Sequence, residues 1–163
     1  MTLRWAALRA APFLVVLALL AAGLVHSAHA MQLETLKLIT ARGAQVIDVE
    51  VTETPAEKAQ GLMFRTRLAD TSGMLFFYET PQEITMWMRN TYIPLDMVFI
   101  RADGIVHRIE ARTEPLSENI IASKGDVTAC LELAGGAAER LGLKPGDRVE
   151  HRFFKPAAKP GKK

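Results

Sequence analysis

The sequence predicts a mainly β fold, α+β in class, built as a compact antiparallel barrel or sandwich that carries two short helices. Three observations lead there. Short runs of alternating apolar and polar residues recur between positions 36 and 153. Turn dipeptides such as Asp103-Gly104 and Pro145-Gly146 punctuate them. Only two segments carry helix signals, and both are short.

Residues 36–40 and 46–52 read as an opening hairpin around Ala41-Arg42-Gly43-Ala44, with Ile47, Val49 and Val51 on one face of the second strand and Asp48 and Glu50 on the other. A helix follows whose two ends are both written in the residues. Thr54 is the N-cap, Pro55 suits the first helical position, Glu57 completes a Thr-x-x-Glu capping box, and Gly61 suits the position after the last turn. Residues 73–78 and 84–88 have strand character and flank a polar loop containing Pro81. Residues 95–100 and 105–110 form a hairpin across Ala102-Asp103-Gly104, where Asp-Gly supplies positive φ. A strand at 127–133, a short helix at 135–141 closed by Gly142, a turn at Lys144-Pro145-Gly146-Asp147 and a last strand at 148–153 complete the prediction.

The first thirty residues read as a signal peptide. Arg4 and Arg9 make a positive n-region, residues 10–25 are an apolar run too short to span a bilayer comfortably, and Ala28-His29-Ala30 is a small-x-small cleavage pattern. Sec-type export with cleavage after Ala30 is expected, giving a periplasmic or secreted protein with no stable membrane anchor. The β-rich domain then spans 31–154, and residues 155–163, rich in Lys, Pro and Ala, read as a disordered basic tail.

The whole chain has 20 basic and 18 acidic side chains, and Arg4 and Arg9 are the only charged residues before Met31, so the remainder balances at zero. That argues against a nucleic-acid partner. Cys130 is the single cysteine, so no intrachain disulfide holds the fold. It lies in the alternating run Val127-Thr128-Ala129-Cys130-Leu131-Glu132-Leu133 and reads as a small buried hydrophobe. Catalytic pairing with His107 or His151 is the lesser alternative.

Gly-Leu-Met-x-Arg at 61–65, Gly-Met-Leu-Phe at 73–76, Trp-Met-x-Asn-Thr-x-Ile-Pro-Leu-Asp-Met at 87–97, Leu-Glu-Leu at 131–133 and Gly-Leu-x-x-Gly-Asp at 142–147 together resemble the DUF192 family over roughly positions 46–150. The resemblance implies a β-rich single-domain fold and no particular activity. Where this chain has Met86, Arg89 and Cys130, family members commonly show an aromatic residue, Lys and an aliphatic residue.

Within that block Arg65, Trp87, Asn90, Thr91 and Asp96 are polar or amphipathic groups set in core-like surroundings, where an unpaired polar group costs on the order of 1 to 3 kcal/mol. They are the candidate ligand-binding residues. Arg65 offers a planar fork to an anionic ligand, or else pairs internally with Asp96. Asn90 and Thr91 either form a turn or orient a ligand beside the Trp87 indole. The expected function is a small-ligand-binding or accessory module taking a small polar or anionic ligand.

A hydrolase is the alternative, with Asp96, Glu110 or Glu132 as acid or base and Arg65 as anion stabiliser. A third reading is a Cu(I) site built from Met63, Met74, Met86, Met88 and Met97. No nucleophile elbow, HExxH pair, Walker loop, zinc spacing or dinucleotide fingerprint occurs, so no catalytic residue and no cofactor or metal site is assigned.

Overall fold

The computed structural model describes residues 31–154, so the predicted leader (1–30) and basic tail (155–163) lie outside the described residues. β1 (Gln32–Thr40) and β2 (Gly43–Thr52) form the opening hairpin, turning through Ala41-Arg42 with Thr40 opposite Gly43. In β2 the alternation is as read: Ile47, Val49 and Val51 are buried while Asp48 and Glu50 are not.

α1 (Pro55–Gln60) has the capping box at its start. The Glu57 amide donates to Thr54 Oγ1 at 3.2 Å, and the Thr54 amide donates to Glu57 Oε2 at 2.8 Å. Its final carbonyl bond comes from the Gly61 amide at 2.8 Å, with Gly61 at φ 50°. This helix is a crossover, and it makes β3 (Ser72–Met86) run parallel to β2, the one parallel pair among the described strands. The sheet is therefore mixed rather than purely antiparallel.

β3 also corrects the sequence reading, because the two expected strands and the Pro81 loop between them are one continuous strand. Register shifts between Phe77 and Gln82 and between Glu83 and Thr85 absorb the proline and the bend. β4 (Leu95–Ile100) and β5 (Val106–Glu110) form the hairpin across Gly104, where φ is 79° and Asp103 Oδ1 accepts from the Ile105 amide at 3.1 Å. β6 (Ile121–Ala134) begins six residues earlier than expected because it accompanies the full length of β3. α2 (Ala137–Leu141) lies between Gly136 and Gly142, both left-handed, and β7 (Arg148–Glu150) stops short of the predicted end at Phe153.

The sheet order is β5-β4-β6-β3-β2-β1-β7. Its outer strands approach each other through a bridge between Ile105 and Arg148. The Val106 amide donates to the Asp147 carbonyl at 2.9 Å, and the Val149 amide donates to the Gly104 carbonyl at 2.7 Å. The result is a strongly curled half-barrel with two short helices.

Strand alternation divides the interior into two apolar clusters. Leu75, Val98, Ile100, Leu131 and Leu133 join Leu36, Leu38, Ile47 and Val49 in the larger one, under α2. Met74, Phe76, Met97, Phe99 and Cys130 face the other way and join Leu62, Met88 and Leu95 in the second. Residue parity on β4, and on β6 from Ala129 onward, thus decides which cluster a side chain enters.

Candidate functional site

Asp96 shares the parity of Val98 and Ile100, so it points toward α2. It is fully buried, and its carboxylate accepts from three backbone amides: Arg112 at 2.8 Å, Gly136 at 2.8 Å and Ala138 at 2.9 Å. These include the opening amides of α2, which has no capping side chain of its own at Gly136. Asp96 is thereby a structural anchor that ties β4 to α2 and to the segment after β5.

Arg65 does not reach it. Its guanidinium pairs instead with Glu50 Oε2 at 2.6 Å, in a bond 40% exposed on the arginine side. The internal Arg65–Asp96 pairing is overturned because the two lie on different parts of the sheet's surroundings.

Glu132 has the opposite parity. Across the sheet it is registered with Met74 on β3 and with Met97 on β4, both of which have no solvent exposure. Glu132 itself is 4% exposed, and its Oε2 is buried with no hydrogen-bond partner among the described residues. Burial raises its pKa to about 8, because a charged carboxylate there would lose water and gain no compensating donor. At neutral pH it is a neutral carboxylic acid.

This carboxyl lies at the floor of a cavity of about 190 Å³. Apolar walls come from Leu62, Phe76 and Met86, while Arg89 and Trp87 contribute exposed lining and Lys58 is half-buried. Gly61 leaves room above the acid, since a Cβ there would sit 3.1 Å from Phe76 Cζ and 4.0 Å from Glu132 Oε2. The Lys58 ammonium donates to the Phe77 carbonyl at 2.6 Å and lies 4.4 Å from the Tyr78 ring centroid. The Arg89 guanidinium lies 4.6 Å from the Trp87 ring centroid and bonds Glu118 at 3.2 Å. Tyr78, also in the lining, has its pKa raised by burial first and then by the neighbouring Cys130 and Glu132. Thr128 Oγ1 and His151 Nδ1 are also buried without a hydrogen bond but belong to residues that do not line this cavity, and His151 Nε2 lies 3.1 Å from Glu34 Oε2.

Of the five residues picked from sequence, Trp87 and Thr91 line the cavity. Trp87 is 43% exposed, and Thr91 is buried with its hydroxyl donating to the Arg89 carbonyl at 3.3 Å. Asn90 sits between them at φ 55°, exposed, with Nδ2 3.9 Å from Met63 Sδ, and forms the turn rather than the lining. Asp96 and Glu132 face opposite sides of the sheet, so the two-carboxylate arrangement expected of a hydrolase is not formed by them. Glu110 is bonded by Arg108.

Met74, Met88 and Met97 fill the second cluster with no exposure, and only Met63 and Met86 reach the cavity. Cys130 is fully buried, and burial pushes its thiol pKa well up, so it is an inert core group.

Sequence reasoning passed over Lys58, Tyr78 and Arg89 as site residues and named Glu132 only as an acid or base of the hydrolase alternative, not as a ligand-binding group. One signal for Glu132 was there: in the run 127–133 it shares the parity of Cys130, the residue assigned to the core.

The DUF192 family, described as "Uncharacterized ACR", matches residues 37–151. A crystal structure of a Sinorhizobium meliloti 1021 protein, provisionally described as a transcription regulator, is 43% identical with a TM-score of 0.72, covering 74% of this chain and 95% of that one. A Novosphingobium aromaticivorans DSM 12444 protein of unknown function is also 43% identical, with a TM-score of 0.73 and coverage of 78% and 91%. No curated protein matches.

Proposed function

The chain belongs to the DUF192 family, and on that footing we propose that it is an exported small-ligand-binding module whose site is the cavity over Glu132. The observation that carries this reading is the unpartnered Oε2 of Glu132 at the floor of that cavity. A buried polar atom without a partner costs about 1 to 3 kcal/mol, and a ligand hydrogen bond removes that cost. Apolar walls around a few converging polar groups are the usual composition of a small-molecule site. The regulator description attached to one relative gains no support from net charge here, since residues beyond Ala30 balance.

The domain tested is Met31–Lys163, a compact unit with both apolar clusters inside it. The two solved relatives are almost wholly accounted for by the aligned region, so a domain of this extent folds alone in them. The chain has two tryptophans, Trp5 and Trp87, so Trp87 is the only one in that unit, and its emission reports on the cavity directly. A screen of sugars, amides, carboxylates and phosphates should give emission changes in the wild type that disappear in Glu132→Leu, a variant whose apolar floor suits its methionine neighbours. Absence of any change, or changes that persist in Glu132→Leu, would overturn the site.

A further inference from the structure

We propose that the ligand is a small organic acid bound as its anion, with the apolar body against Leu62, Phe76 and Met86, the charge toward Lys58 and Arg89, and the Glu132 carboxyl donating a hydrogen bond to it. This rests on the cavity being the binding site and adds the class of compound.

The argument comes from the distribution of charge. The basic side chains in the lining are Lys58 and Arg89, and its one carboxyl is Glu132. Glu118 offsets part of the Arg89 charge, while Lys58 is held in the lining by a carbonyl and an aromatic ring, neither of which neutralises it. An incoming cation would meet two like charges before it reached the one acid. An anion meets two opposite charges, and the floor does not repel it so long as Glu132 keeps its proton. An O–H···O⁻ bond between a neutral acid and a carboxylate is short and charge-assisted, and it uses the donor that is otherwise idle.

The groups facing Glu132 agree with this. β4 presents only Met97 across from it and β3 presents Met74, with Tyr78 further along; Cys130 shares its own strand, and α1 brings Lys58 to the same cavity. The facing acids Tyr78 and Cys130 both have raised pKa values and are neutral at neutral pH, and it is burial that holds the proton on Glu132. Its pKa of about 8 places the loss of that proton within an accessible pH range.

Cyclohexanecarboxylate, cyclohexanecarboxamide and cyclohexylmethylammonium share a body and differ in charge, and none absorbs where Trp87 is excited. The emission of Trp87 in Met31–Lys163 is titrated with each, at tens of millimolar and below, between pH 6 and pH 9.5. The carboxylate should bind at least about tenfold more tightly than the amide, and the ammonium should not bind. Above the Glu132 midpoint the carboxylate affinity should fall roughly tenfold per pH unit. Glu132→Gln retains an N–H donor and cannot ionise, so it should bind the carboxylate with no such fall, and Lys58→Ala with Arg89→Ala should weaken it at every pH.

Tightest binding of the ammonium, or equal binding of amide and carboxylate, overturns the anion assignment while leaving the cavity as the site. A carboxylate affinity that falls identically in Glu132→Gln overturns the role of Glu132. No response to any of the three, in a domain with native near-ultraviolet circular dichroism, overturns the class and counts against the cavity reading as well.

Discussion

Glu132 and Asp96 are both acids on central strands, and opposite parity gives them opposite tasks. Asp96 has three amide donors and stays satisfied. Its replacement by Ala should strand those donors and cost roughly 3 kcal/mol or more in urea unfolding. Glu132 has none for Oε2, and its effect on stability depends on pH. Below about pH 4.5 it is protonated in folded and unfolded chains alike, and its ionisation adds no pH dependence. As pH rises toward 8 the unfolded chain releases the proton and the folded chain keeps it, so stability falls by about 1.4 kcal/mol per pH unit from this group and levels off above 8. The stability of Glu132→Leu relative to wild type should therefore grow between pH 5 and pH 8, by a few kcal/mol in all. Comparing the two proteins at each pH cancels other titrating groups, His151 among them. Arg65→Ala should matter far less, under about 1 kcal/mol, because the bond to Glu50 is partly exposed.

At the scale of elements, α1 links local sequence to the site. It buries no residue, so its stability comes from its ends: the capping box at Thr54 and the turn at Gly61. Those ends also place Lys58 and Gly61 in the lining of the cavity. Thr54→Ala should lower stability by about 1 kcal/mol, and the loosened helix should weaken ligand binding without any change to a lining residue. Such elements were legible in the sequence because their determinants are local: a cap, a box, a Gly, an Asp-Gly turn. Continuous β3 was not, since Pro81 signals a break, and only pairing with the full length of β6 carries the strand past it. The parallel placement of β3 beside β2 was likewise hidden, because it depends on a crossover and not on any run of residues.

For the molecule as a whole, the curled sheet separates a side closed by packing from one that holds a cavity. The face under α2 is closed by a large apolar cluster and by Asp96, while the other face leaves a cavity between α1, β3 and β6. The block at 61–97 supplies Trp87 and Thr91 to the cavity but leaves out Lys58 and Glu132, and its residues could not be sorted from sequence, because membership of the lining turns on which face each side chain takes after the sheet has curled. Trp87 and Thr91 came to the cavity, and Arg65 and Asp96 were drawn away by Glu50 and by the amides of α2. At the centre of that cavity's chemistry, Glu132 is a neutral acid whose Oε2 has no partner. Titration of its side-chain carboxyl carbon by ¹³C NMR in Met31–Lys163 tests it most directly. A midpoint near 8 that moves when cyclohexanecarboxylate is added is the predicted result. A midpoint near the ordinary 4.5, unmoved by the acid, would contradict the account.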